Sequence, residues 1–196
     1  VLAYFLLMFL LRGMPFIDLA HLRKRDMQDG RITYSRHKTD KPITVRIPRE
    51  ALVLIAKYAD RHSASPYLFP ILDARIRDSW QSYRNYQDAL RHFNRKLGQV
   101  MSRLLPGVRV SSYTARHTWA TLAFHSGQPV GIISQALGHS SLRVTETYLK
   151  PFGNELVDKA NRQLIASVRK CKWKNETGDR AGSVSYTHLR AHETKA

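Results

Sequence analysis

Hydrophobic residues recur along most of this chain with a helical period, and in one short stretch they alternate instead. Val1–Leu11 is an uncharged, strongly apolar run of eleven residues. It is shorter than the roughly 20 residues that cross a bilayer, so it reads as a buried first helix. Ile32 and Tyr34 alternate with polar residues over Arg31–His37, and Ile43, Val45 and Ile47 do so over Ile43–Ile47, which predicts two strands. Lys38-Thr39-Asp40-Lys41 is the hairpin tip between them; His21–Met27 reads as a further strand and Asp29-Gly30 as a turn. Pro48 opens a helix to about Asp60 with Leu52, Ile55 and Ala59 on one face. Ser63–Pro66 is a loop and Tyr67–Pro70 an apolar anchor. Tyr86, Leu90, Phe93, Leu97, Met101 and Leu104 then mark a longer amphipathic helix, whose other faces carry Arg84, Arg91, Arg95 and Arg103.

Past the Pro106-Gly107 turn, Ser111 or Ser112 caps a helix running to about Phe124 and stopped by Gly127. A short helix over Val130–Leu137 stops at Gly138, and Ser140 or Ser141 caps a third that carries Tyr148 and ends before Pro151. Leu156, Ala160, Leu164 and Val168 mark one more helix. These elements make a mainly α fold with a small antiparallel β-sheet, an α+β class.

Composition narrows the function. At 196 residues the chain is about one domain, and its net charge of +17 with pI near 10.4 suits a partner that is a polyanion. Nucleic acid is the first candidate and an anionic membrane surface the second. The single cysteine, Cys171, excludes an internal disulfide framework and fits a reducing cytoplasm. No Gly-rich phosphate loop, internal repeat or Cys/His metal cluster is evident; His188 and His192 are four apart but lack a third ligand. Gly178–Ala196 loses apolar periodicity, and Ser185–Thr194 resembles translated sequencing-adapter read-through, so it is set aside from the fold. The expected division is one folded unit over 1–170 and a disordered tail over 171–196. The chain begins at valine, and an upstream part is expected to be missing.

The chemistry concentrates in Ser111–Lys150. Tyr113, Arg116 and His117 sit near a helix start, Leu137-Gly138-His139 forms a turn, and Tyr148 follows His139 by nine residues. Each has an ordinary reading alone: a solvated Arg-His pair, a half-buried tyrosine, a histidine after a C-cap. Their ordered combination resembles the catalytic half of the tyrosine recombinases, the phage-integrase family, in the pattern His-x-x-Arg-His-(Ser/Thr)-x-Ala-(Ser/Thr), Leu-Gly-His, Thr-x-x-Tyr. One residue departs: Tyr113 stands where the first histidine is usual. Upstream, Ile17-Asp18-Leu19 resembles the tail of the family's Thr-Gly-x-Arg-x-x-Glu-Leu element, although Arg12 precedes Gly13 instead of following it.

That resemblance implies DNA cleavage and rejoining through a 3′-phosphotyrosyl link, with no metal and no cofactor. Tyr148 would attack; Arg116 and Arg12 would bind the scissile phosphate, since a planar guanidinium grips two oxygens and stays charged. His139 would hydrogen-bond the phosphate. Lys38 would protonate the leaving oxygen from the hairpin tip, with Lys41 as the alternative. Tyr113 would offer a hydrogen bond but is a poor base near neutral pH. It implies double-stranded DNA as substrate, further protomers in a tetrameric synapse, no membrane, and a bacterial cytoplasm. The family's N-terminal DNA-clamping domain is absent from this sequence. The rival readings are a catalytically decayed DNA-binding remnant and a type IB topoisomerase-like enzyme; a membrane-surface protein ranks behind both.

Overall fold

The computed structural model describes residues 1–149 and 154–176, which fall into two units, Val1–Lys150 and Pro151–Ala196. The first begins with helix α1 (Leu2–Leu10), whose Leu7 and Met8 are fully buried and whose body packs against α3 and α5. Arg12 (φ 61°) and Gly13 (φ 67°) then turn the chain through two successive left-handed residues. Pro15 caps α2 (Phe16–His21), with Phe16 stacked on Phe93 at 4.5 Å.

The strand expected over His21–Met27 does not form. His21 ends α2, Arg23 makes an isolated bridge to Tyr67, and Lys24–Asp26 is a 3₁₀ turn. The cause is local: the Asp26 carboxylate accepts the Arg23 backbone N–H at 2.8 Å, which closes a turn where a strand would stay open. The sheet itself is three-stranded and antiparallel in the order β1 (Met27–Gln28), β2 (Arg31–Ser35), β3 (Pro42–Arg46), with Ile32 opposite Val45 and Tyr34 opposite Ile43. Pro42 fits because it opens its strand. The tip is longer than expected and begins at Arg36.

Helix α3 (Arg49–Tyr58) turns Ala51 and Ile55 inward and leaves Leu52 exposed, so its buried face is rotated from the expected one. Helix α4 (Ser79–Leu104) is capped by Asp78, whose carboxylate accepts the Gln81 N–H, and it buries Phe93 and Leu97 but not Leu104. With Leu19, Ile32, Val45 and Phe69 these form the main core.

Helices α5 (Ser112–His125) and α6 (Val130–Leu137) follow the expected boundaries closely, α7 (Leu142–Glu146) starts where expected, and a smaller core gathers Ala120, Ile133 and Leu137 beneath Trp119, Phe124 and Tyr148. One expectation fails here. Tyr148 lies in the turn after α7, because the helix ends at Glu146. In the second unit α8 (Asn154–Glu176) continues beyond residue 170, with no Gly or Pro before Gly178 to stop it. Residues 177–196, with His188 and His192, lie outside the described residues. No helix among the described residues is long and apolar enough to cross a membrane, and none of their His, Cys, Asp and Glu side chains form a metal-binding group of three or more.

Candidate active site

Four features of the sequence aim the site. Ser111 accepts the Tyr113 backbone N–H at 3.3 Å while Thr114 Oγ1 accepts the Ser111 N–H at 3.0 Å, a reciprocal cap that starts α5. Asn94 of α4 accepts the Ser112 N–H at 2.7 Å and seats that helix end on the main core. From there Arg116 points inward, one turn before Ala120, and is only 2% exposed. Gly138 (φ 66°) ends α6 in the left-handed conformation that a β-carbon disfavours, and so swings His139 back toward Arg116.

Arg116 is the hub. Its Nη1 donates to the Gly13 carbonyl at 2.9 Å, and its Nη2 donates to the Leu137 carbonyl at 2.6 Å and to His139 Nε2 at 3.0 Å. A guanidinium only donates, so His139 accepts at Nε2 and carries its proton on Nδ1, which donates to Thr145 Oγ1 at 2.8 Å. Burial, followed by the charges of Arg116, Arg36, Lys38 and Lys41, lowers the His139 pKa to about 4. The imidazole is therefore neutral at pH 7. Burial, then the charge of Arg36, also lowers the pKa of Arg116, but from so high a value that it stays charged.

Tyr148 packs its ring against His139 (5.2 Å between centroids) and His117 (4.5 Å). Its hydroxyl lies 2.6 Å from the hydroxyl of Tyr113. Burial raises the Tyr148 pKa, the Tyr113 hydrogen bond adds to that, and the Arg116 charge pulls in the other direction. Tyr113 is 45% exposed, so it joins the Tyr148 hydroxyl to solvent.

The hairpin tip closes over the α6 end by gripping three successive carbonyls. Arg36 Nη1 donates to Leu137 O at 2.7 Å, Thr39 Oγ1 to Gly138 O at 3.5 Å, and Lys41 Nζ to His139 O at 2.9 Å. Lys41 is thus engaged, whereas Lys38 is exposed at the tip and has no hydrogen bond among the described residues. Gly138 makes the approach possible, since an added β-carbon would meet Ile43 Cδ1 at 2.5 Å and Arg36 Cγ at 3.1 Å.

Of the residues the sequence nominates, the fold brings Arg116, His139, Tyr148 and Tyr113 into one cluster with Lys38 at its rim. Arg12 is not among them: its Nη1 reaches the Thr44 carbonyl on β3, at 3.5 Å. The motif reading gives three participants no role, although Thr145 and Asp18 stand inside its patterns. Thr145 accepts the His139 Nδ1–H, Asp18 accepts the His37 N–H at 3.0 Å, and Arg36 lies with Nε 2.9 Å from the Asp18 carboxylate as a buried ion pair. The Nε–H is not aimed at that oxygen, so the pair is ionic more than hydrogen-bonded. A signal for Arg36 does exist in the sequence. The alternation that buries Ile32 and half-buries Tyr34 puts Arg36 next on the inward face.

Comparison with known proteins supplies the family. The phage integrase family profile matches residues 2–155. The chain is 28% identical over 153 residues to tyrosine recombinase XerA of Pyrococcus furiosus, covering 76% of this chain and 50% of that protein. XerA of Thermococcus kodakarensis is 29% identical over 140 residues, covering 70% and 46%. The chain thus spans about half the length of these relatives. In fold it is similar to the crystal structure of XerA recombinase (TM-score 0.57, 20% identity, 82% of this chain and 55% of that one). It is also similar to the Tn1549 transposon integrase in complex with a circular intermediate DNA (TM-score 0.57, 16% identity, 82% and 58%). With a profile match over most of its length, this chain belongs to the phage integrase family.

Proposed function

We propose that this chain is the catalytic part of a site-specific tyrosine recombinase that cuts and rejoins double-stranded DNA. The observation that carries the reading is the convergence of Arg116, His139 and Tyr148 on one spot from α5, the α6 end and the turn after α7. In this reading Tyr148 Oη attacks the scissile phosphorus, the phosphotyrosyl bond forms, and the bond to the deoxyribose 5′-oxygen breaks. Arg116 meets the charge that builds on the non-bridging oxygens, with no metal required, and His139 joins it as a donor only when its Nε2 carries a proton. Tyr113 passes the Tyr148 proton toward solvent as a hydrogen-bond relay; with an ordinary pKa near 10 a tyrosine is a poor resting base. Lys38, free at the hairpin tip, delivers a proton to the departing oxygen. Rejoining is the same path reversed. Further protomers, four in a synapse, bring the second duplex, and the work takes place in the cytoplasm where DNA is accessible.

A covalent trap tests this. The protein is incubated with nicked duplexes whose cores are randomised in sequence, and DNA that stays attached through denaturation is recovered and the attachment point mapped by peptide analysis. Attachment at Tyr148 is expected, and none with Tyr148→Phe, which keeps the ring and its packing but lacks the attacking oxygen. Arg116→Ala should slow adduct formation by about two to three orders of magnitude, corresponding to about 3–4 kcal/mol of lost charge stabilisation. Adducts that persist in Tyr148→Phe would move the nucleophile elsewhere. If the wild-type chain forms none, the decayed DNA-binding remnant becomes the better reading.

A further inference from the structure

We infer that Arg36, at the base of the hairpin tip, is the second phosphate-binding arginine of this site, in the place the sequence pattern gives to Arg12. The inference rests on the recombinase reading for its ligand, a phosphodiester anion, but not for its geometry.

Arg36 and Arg116 donate to the same acceptor, the Leu137 carbonyl, from 2.7 and 2.6 Å. Their guanidiniums therefore stand side by side although the residues are 80 positions apart in sequence. Both residues are buried, at 6% and 2% exposure. Two like charges in a poorly solvated place repel unless anions accompany them. One carboxylate does so, Asp18, ion-paired with Arg36. The pair of arginines and Asp18 together leave one positive charge, which is what a phosphodiester monoanion would neutralise. Donor capacity is also left over. Arg116 Nε is buried with no hydrogen-bond partner, and Arg36 Nη2 forms no hydrogen bond among the described residues.

A purely structural role explains less. Fastening the hairpin to the α6 end needs only donors to carbonyls, and Thr39 and Lys41 already supply two. A buried arginine with its own buried carboxylate is a costly way to add a third. The electrostatics of His139 agree with the placement: Arg116 and Arg36 are the first two charges acting on its ring, with Lys38 and Lys41 behind them. Arg12, at the Thr44 carbonyl, is not part of this group.

The test reads anion binding at this spot without requiring catalysis. Inorganic phosphate is titrated into the full chain at constant ionic strength, balanced with chloride, and the His139 ring resonances are followed by NMR. The wild type and Arg12→Gln should show a saturable shift with the same midpoint. Arg36→Gln should need at least tenfold more phosphate. That variant strands the Asp18 carboxylate and can fail to fold, so Asp18→Asn with Arg36→Gln is measured beside it; it keeps the net charge of +1 but lacks the Arg36 donors, and should still weaken binding, by less than the single variant. Arg36→Lys keeps the charge and should recover part of it. Unchanged midpoints in the folded Arg36 variants, weakening caused by Arg12→Gln instead, or no saturable shift in the wild type would each overturn the assignment. Phosphate binding that depends on Arg36 in a protein forming no Tyr148 adduct would leave the anion site standing and remove the recombinase reading alone.

Discussion

At the scale of single residues the site is a set of groups whose protonation follows from who donates to whom. Arg116 cannot accept, so His139 Nε2 must, and the ring stays neutral with a pKa of about 4. Its pKa in the unfolded chain is the ordinary value near 6.5. The folded form therefore binds that proton more weakly than the unfolded one. The resulting stability is fully present above about pH 6.5 and is lost as the pH falls toward 4. Unfolding midpoints in urea should fall through that window, and His139→Gln, which can still accept from Arg116, should flatten the fall. An identical pH profile in the variant would assign the effect to His21 and His117, whose pKa values burial also lowers. Which residues were legible follows from spacing. Arg116, His139 and Tyr148 lie within one stretch of 33 residues whose pattern displays them together. Arg36 was hidden because what gives it meaning, the Leu137 carbonyl, is 101 positions away. Arg12 misled because a charged residue after an apolar helix looks the same whichever way its two left-handed turn residues point it.

At the scale of elements the decisive junction is the end of α6. Gly138 is required there twice, for its φ of 66° and for the space that Ile43 and the Arg36 stem occupy. Gly127 offers a comparison, with φ 82° and nothing within 4 Å of an added β-carbon. Gly127→Ala should cost about 1–2 kcal/mol for the left-handed backbone alone. Gly138→Ala should cost about 2–4 kcal/mol, since overpacking adds to it. It should also shift the His139 ring resonances. Denaturant titration of both variants measures the difference, and equal losses would mean the hairpin yields to the methyl without strain. The helices around this junction were legible because Ser111 caps the start of α5 and Gly138 stops α6. His21–Met27 was misread because a capping carboxylate, Asp26, outweighed the apolar signal, and the α7 end was misplaced because nothing in Thr147-Tyr148-Leu149 announces a stop.

At the scale of the whole molecule the net charge of +17 dominates. Binding to a generic duplex should weaken by about a hundredfold or more between 50 and 200 mM salt, as released counterions return to the DNA. Fluorescence anisotropy at the two concentrations reads this, and an affinity indifferent to salt would exclude a surface that tracks phosphates. The charge was fully legible in the composition; where it gathers was not, because Arg36, Lys38 and Lys41 reach His139 only through the hairpin. That hairpin grip has a consequence for how the protein comes into being. The bonds from Arg36, Thr39 and Lys41 to Leu137, Gly138 and His139 close loops of 98–101 residues. Closing so long a loop carries an entropy cost that local helices and the hairpin do not face. On a ribosome, a chain made from its N-terminus has the hairpin about a hundred residues before its partners exist. The elements can form as they emerge, but the site cannot, so a nascent or half-folded chain carries its positive charge well before Arg116, His139 and Tyr148 are held together.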